Sequence, residues 1–416
     1  MSTHIEVAPP ASRLGREFHK LWAASGVSNL GDGVWLVAAP LLAATLTRDP
    51  VLIAGLSFAQ RLPWLIFPPF SGVLADRVDR RKAMVAVTLL RAALIGSLGI
   101  TVMTGWVTLP VLYAVFFLLT AGETLFDTSS AALIPSIVPR DQLKTANARL
   151  AGTVSVTNQF IGLPLGGYLF ARMAAAPFTL GAAGLAGAAA ILTTLRGSFR
   201  AERDVQATPS MRAEIVEGVR WLWGHRLLRT SAITLGVLNL VLVAQVSIMV
   251  LVAEERLGLG PSGYGVLLTM TGLGGIIGSV VAPRILAITG DARYLRLAVI
   301  IEAVLPAVIA LTTSAWIVGA SLFVFGVHAT TWGAVLISLR QELTPDHLRG
   351  RVQSVNGVIE NGTAAPGALL GGLLAAWLGL TAPFWFSTII ALVLLVFVWP
   401  VYTEKTIADA RKTAAS

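Results

Sequence analysis

No cysteine occurs among the 416 residues. That removes disulfides, thiolate metal sites, iron–sulfur clusters and a cysteine nucleophile. Only five histidines are present; His4, His19, His225, His328 and His347 are too scattered for a zinc site. There is no Gly-Lys dipeptide, and hence no Walker A loop. There is no Gly-x-Ser-x-Gly either, and hence no esterase elbow of the usual kind. No cofactor and no metal are expected. Charge is also scarce: 13% of residues are Asp, Glu, Lys or Arg, against roughly 25% in soluble domains.

Apolar residues fill the gap, at 55% of the chain with a mean hydropathy of +0.75. Soluble domains of this size could not hide so much apolar surface from water, which leaves the bilayer as solvent. Long apolar runs begin near Lys20, Val51, Ala83, Thr108, Thr145, Pro177, Thr230, Gly263, Leu295, Ala315, Val352 and Thr381. Each is long enough to cross a hydrocarbon core, which takes ~20 residues. The first run is too long for a cleaved signal peptide and lacks a small-x-small site. The sequence therefore predicts an all-α membrane protein of twelve transmembrane helices.

Basic residues set the expected orientation. Of the 31 Lys and Arg, 26 fall in the N-terminal arm, the loops after even-numbered spans, the central linker and the tail. Arg48, Arg172 and Arg256 are alone on the other side, and Arg61 and Arg91 lie within spans. The positive-inside rule then puts both termini in the cytoplasm. The same bias accounts for the net charge of +9 without any nucleic-acid partner.

The longest polar stretch runs from about Arg196 to Arg229. Within it Ile215, Val219 and Leu222 share one helical face opposite charged residues, the pattern of an amphipathic helix on the cytoplasmic surface. The stretch divides the chain into residues 1–196, a linker at 197–228, and residues 229–416. The halves repeat. Pro139-Arg-Asp-Gln-Leu143 matches Pro345-Asp-His-Leu348 with one residue deleted, and from there the offset holds at 205, pairing Gly152 with Gly357 and Gly166-Gly167 with Gly371-Gly372. Duplication of a six-helix unit leaves such an offset and predicts two pseudo-symmetric bundles around a midplane site.

The loop after span two reads Gly72-Val-Leu-Ala-Asp76-Arg77-Val-Asp79-Arg80-Arg81. It resembles the signature loop of the major facilitator superfamily, Gly-x-x-x-Asp-Arg-x-Gly-Arg-Arg, and departs from it at Asp79. The resemblance implies close helix approach at Gly72 and a gating role for Asp76, with Arg77, Arg80 and Arg81 around it. Four further segments fit one branch: Ser28-Asn-Leu-Gly-Asp-Gly33, Glu217-Gly-Val-Arg-Trp-Leu-Trp223, Leu257-Gly-Leu-Gly-Pro-Ser-Gly-Tyr264, and Arg340-Gln-Glu-Leu-Thr-Pro345 with Leu348-Arg-Gly-Arg-Val352. They resemble the drug exporters that include the enterobactin exporter and macrolide efflux proteins. In span five, Gly162-Leu-Pro164-Leu-Gly166-Gly167 is similar to the antiporter motif Gly-Pro-x-x-Gly-Gly. Plain helix packing through small residues explains it equally well. Gly258-Leu-Gly-Pro-Ser-Gly263 also fits Gly-x-Gly-x-x-Gly, but it joins two spans with no strand before it and reads as a loop.

Charge at membrane depth is costly and demands a reason. Asp32 falls in span one, while Glu123 and Asp127 lie four residues apart on one face of span four. The resemblance implies that spans one, four, seven and ten line the cavity. It makes these three acids candidates for proton exchange; simple solvation in the cavity or pairing with Arg61 is the alternative. Gln245 and His328 fall on cavity helices too, as do Phe126 and Trp332, which occupy repeat-related positions and are candidates for contact with a hydrophobic substrate. Arg91 and Glu302 are expected at the periphery, snorkelling toward the surface. Glu360 is left open between the bundle interface and a structural role. Span four lacks the mid-helix arginine of many proton antiporters in the superfamily.

The expectation is a monomeric exporter of the bacterial cytoplasmic membrane, with three partners: a small amphiphilic substrate, protons and the lipid bilayer. A siderophore or lipid transporter, an importer, and a membrane sensor that has kept the fold without transport stay open. An enzyme is not expected, for want of any nucleophile–base or metal constellation.

Overall fold

The computed structural model describes residues 14–197, 199 and 211–415, and every regular element among them is helical. Span one is Arg16–Leu46, and span two is Pro50–Ile66 continued by Pro68–Arg77. Spans three and four are Arg80–Met103 and Leu109–Ile137. Span five joins Leu143–Val154, a π-helical stretch Ser155–Gly162 and Leu163–Arg172; span six is Ala176–Thr193. In the second half span seven is Arg226–Val246 with a broken end, and spans eight to twelve are Pro261–Thr289, Asp291–Leu311, Ala315–Leu343, Arg349–Leu378 and Ala382–Val398. Each begins within four residues of its sequence-predicted start.

Eight of these helices are individually long and apolar enough to cross a membrane. The rest have local reasons for falling short. Spans two and five are interrupted, the first at Phe67 ahead of Pro68 and the second by its π-helical stretch. The last two qualify as a pair bent by 117°, because Gly379 at φ +91° turns the chain between them. Helix starts are encoded by acids and prolines. Asp49 accepts from the Val51 amide at 2.7 Å ahead of Pro50, and Asp79 accepts from the Lys82 amide at 3.1 Å. Each satisfies an orphan N–H of the first turn. Asp79 has φ −64°, so the turn needs no glycine at the position where the superfamily pattern has one.

The apolar core is not evenly distributed. One buried cluster draws on both halves, running from Trp35–Ala44 and Ile53 to Ile248–Ala253, Tyr264 and Phe384. It occupies the face opposite the chain ends. Toward the face carrying the chain ends there are two separate clusters, one within residues 18–199 and one within residues 222–407. The bundles therefore meet on one face and part on the other.

Two seams make the closed face. A Cβ on Gly167 of span five would lie 2.4 Å from the Pro261 carbonyl oxygen of span eight and 3.1 Å from Gly265 Cα. A Cβ on Gly372 of span eleven would lie 2.8 Å from the Pro50 carbonyl oxygen and 2.9 Å from Val51 Cα of span two. Arg48 and Glu254 form an ion pair across the same face. At the other end of spans two and eleven, Gly72 and Gly357 have open space around them.

In this state no helix approaches Gly72 closely, because the bundles are parted where that residue sits. The linker helix Met211–Gly224 docks on the start of span eleven. Leu222 is buried in the second-half core, Gly218 abuts the Arg351 backbone, and Glu217 pairs with Arg351 at 2.5 Å. The side chain of Ile215, expected on its apolar face, lies outside the described residues. The tail helix Glu404–Ala415 is held by Arg411, at 2.9 Å from Glu342 and 2.8 Å from Asp291.

Candidate functional site

Each bundle holds a buried ionic centre on its third and fourth helices. In the first bundle Arg91 of span three is 1% exposed. Its Nη2 donates to Asp32 Oδ1 of span one at 3.1 Å and lies 3.8 Å from Glu123 Oε2 of span four. Trp35, one turn along span one, donates from Nε1 to the same Asp32 oxygen at 3.1 Å. The sequence makes room for this. Gly122 leaves space for the Arg91 stem, since a Cβ there would lie 3.1 Å from Arg91 Cγ. Gly33, next to Asp32, lets span one press on the π-helical stretch of span five at the Asn158 carbonyl. A π-bulge beside an ionic centre is a common companion of functional sites.

Asp127 is exposed and lies within electrostatic range of Arg91 and Asp32. Arg61 interacts by charge with Glu123 and with Glu360 of the other bundle, but the close partner of Asp32 is Arg91. The expectation that Arg91 snorkels is therefore overturned. Its guanidinium turns inward because two carboxylates repay its dehydration, which lipid could not do. The arginine missing from span four is supplied by the neighbouring helix.

In the second bundle Glu302 of span nine is likewise buried. Its Oε1 lies 3.3 Å from His328 Nε2 of span ten, and the Tyr294 hydroxyl donates to the His328 carbonyl at 3.2 Å. The peripheral placement expected for Glu302 is also corrected. The register is informative: Arg91 and Glu302 are each the twelfth residue of their helices. Glu123 and His328 fall on the corresponding helices, spans four and ten, one position out of their 206-residue register. The two centres sit on corresponding helices, with an arginine on span three at the position where span nine carries an acid.

A cleft of about 340 Å³ runs along the second bundle. His328, Trp332 and Glu302 line it, with Asn239, Arg340 and Glu360 toward its polar end. Gln245 faces a second chamber and holds its own helix through Val241. Phe126, the repeat mate of Trp332, packs into the first-half core with Phe18, Leu21 and Leu133.

In the loop after span two, Arg80 donates to the Ala132 carbonyl at 3.0 Å and Arg81 to the Leu195 carbonyl at 2.6 Å. Both tie the first bundle to itself. Arg77 is exposed, and the side chain of Asp76 lies outside the described ones. In the antiporter-like stretch, Gly162 meets Gly33, Gly166 meets the Val34 carbonyl, and Gly167 forms the seam with span eight. Pro164 starts the helix that follows the π-helical stretch.

Two six-helix bundles, closed on one face around a charged interior, define a secondary transporter of the major facilitator type. Residues 8–414 match the transmembrane secretion effector family of that superfamily, and the chain belongs to it. The multidrug efflux pump Tap of Mycolicibacterium fortuitum is 26% identical over 374 residues, covering 85% of this chain and 88% of Tap. Macrolide efflux protein A of Streptococcus pyogenes is 24% identical over 382 residues, covering 89% and 91%. Among solved structures, a bacterial homologue of the iron transporter ferroportin in its inward-facing state aligns with a TM-score of 0.72 at 16% identity, covering 93% of this chain and 99% of that one. The nucleoside transporter NupG aligns with a TM-score of 0.70 at 12% identity, covering 94% and 100%. These two share the fold.

Proposed function

We propose that the protein exports a small amphiphilic compound across the bacterial cytoplasmic membrane in exchange for protons, with both termini in the cytoplasm. Residues 1–196 and 229–416 act as two bundles that rock about the seams, joined by the linker at 197–228, in a monomer. The observation that carries this reading is the arrangement of the bundles, sealed on one face and parted on the other, with ionisable groups at the parting. Alternating access requires such a shape. The efflux names of Tap and macrolide efflux protein A support the outward direction.

Asp32, Glu123 and Asp127 are the groups assigned to proton exchange. Arg91 gives them a mechanism: a proton on Asp32 or Glu123 releases the guanidinium from one partner to the other, and that rearrangement biases the bundle equilibrium. Phe126, Gln245, His328 and Trp332 are assigned to the substrate side, and Gly72 with Asp76, Arg77, Arg80 and Arg81 to the closing of the cytoplasmic face.

The test uses inverted vesicles with an imposed proton gradient, a panel of fluorescent amphiphiles, and Asp32→Asn at matched expression. Ionophore-sensitive accumulation that the substitution abolishes is the expected result. Accumulation indifferent to the gradient would refute antiport. No accumulation of any compound would favour the siderophore, lipid or sensor alternatives.

A further inference from the structure

Glu302 sits at a junction between two spaces. It lines the cleft already described and also a partly open chamber of about 250 Å³ between spans seven, eight, nine and ten. Among the residues lining that chamber it is the only charged one. Leu, Val, Met and Phe side chains make most of the wall, while Gln245, Thr271 and Ser321 add neutral polar atoms. The Glu302 side chain is 11% exposed, and its ion-pair partner among the described residues is His328.

Here the two halves differ in kind. Arg91 is a permanent cation, so the acids of the first bundle have a counter-ion at every pH. An imidazole carries charge only when protonated. With His328 neutral, a carboxylate faces an apolar chamber with no cation beside it, an unfavourable state that an incoming cation would relieve. Two donors are too few for a dedicated metal cage, which takes three or four. The apolar walls point instead to an organic ligand. A volume of about 250 Å³ lies just below the usual range for small-molecule pockets, roughly 300–1,000 Å³.

We infer that this chamber binds a lipophilic organic monocation, whose apolar body fills the space between spans seven and ten and whose charge is neutralised by Glu302. Protonated His328 is the internal competitor, since one carboxylate neutralises one positive charge at a time. The inference deepens the export reading by naming the charge class of the substrate and the half that holds it. It rests on that reading for transport, and binding can be tested without it. The other groups facing the pair are few. The Tyr294 hydroxyl lies 3.5 Å from His328 Nδ1, and Glu360 and Arg340 share the cleft wall. Spans eight and twelve face span nine with Leu268, Thr271 and Thr388, none of them titratable.

The experiment is fluorescence polarisation on the purified full-length protein. The probes are 4-[4-(dimethylamino)styryl]-N-methylpyridinium and its uncharged parent, which lacks the N-methyl group. At pH 8 the wild type should bind the cation at least about tenfold more tightly than the parent, the scale of one charge-assisted contact. Glu302→Gln should bring the two within about twofold, and Glu302→Asp should keep the preference. His328→Gln, which removes the competing cation, should bind the cation at least as tightly as the wild type.

No preference for the cation, a preference that survives in Glu302→Gln, or no binding of either probe would each overturn the inference. If Glu302→Gln fails to fold, Glu302→Asp and His328→Gln carry the test, and loss of the cation preference in either variant overturns it. Charge-selective binding without accumulation in vesicles would leave the site standing and remove the export reading. Proton-driven accumulation with no charge preference at Glu302 would do the reverse.

Discussion

Replacing Arg91 by leucine should be among the most destabilising single changes in the first bundle, and a second substitution should repair much of the damage. Arg91 is 1% exposed and serves two acids. Their side chains are 10% exposed for Asp32 and 30% for Glu123. Glu123 can be rehydrated once its partner is gone, whereas Asp32 keeps only the Trp35 indole, so the cost is dominated by Asp32. Breaking a buried ion pair from one side costs about 3–5 kcal/mol, and the lower end applies because one of the two acids can be rehydrated. Asp32→Asn alone strands the guanidinium with Glu123 at 3.8 Å, and it should cost a similar amount. Arg91→Leu combined with Asp32→Asn removes both charges and should be more stable than the sum of the singles by about 2 kcal/mol or more, as coupled neighbours are. Reversible unfolding in mixed micelles, followed by tryptophan fluorescence, supplies the cycle. Strict additivity of the two substitutions would refute the claim that this pair is a buried unit.

Two further predictions concern the seams. Gly167→Leu places side-chain atoms where a Cβ already lies 2.4 Å from the Pro261 carbonyl oxygen. Overpacking of about 1–3 kcal/mol should therefore open the sealed face, and spin labels at positions 48 and 255 should move apart. The chain contains no cysteine, so the labelling sites can be introduced without stripping others, and an unchanged distance distribution would count against the seam. Gly72→Leu meets open space in the present state and should change stability by less than about 0.5 kcal/mol, yet it should abolish transport by obstructing closure of the opposite face. Wild-type transport rates in that variant would show that spans two and eleven do not close there.

The spans and their order were legible because apolar length is a local property; the breaks and caps are local too, but they became visible only in the structure. Asp49, Asp79 and Gly379 each act within a few residues of themselves. Asp32 and Glu123 were legible as buried acids because charge within an apolar run is conspicuous. Their partner was not: Arg91 meets Asp32 across 59 residues of chain, and a composition window cannot distinguish an arginine that turns inward from one that reaches for lipid headgroups. The repeat held a usable signal. Aligning spans three and nine by their starts places Arg91 on Glu302, so one pair of opposite charges falls into register. Gly72 marks another limit: a sequence holds every state of a transport cycle at once, and one structure shows the surroundings of Gly72 in one state only.

The seams have a thermodynamic consequence. Gly167, Gly265 and Gly372, with Pro50, Ala54 and Pro261, close the sealed face with residues that lose almost no rotamer freedom on packing. Closing the other face would have to immobilise longer side chains, among them Phe70 and Leu74, which are 66% and 44% exposed on the free end of span two. Each such side chain gives up conformational entropy that the glycine seams never possessed. At the two glycine crossings, then, side-chain entropy opposes closure hardly at all, and warming does little to weaken them.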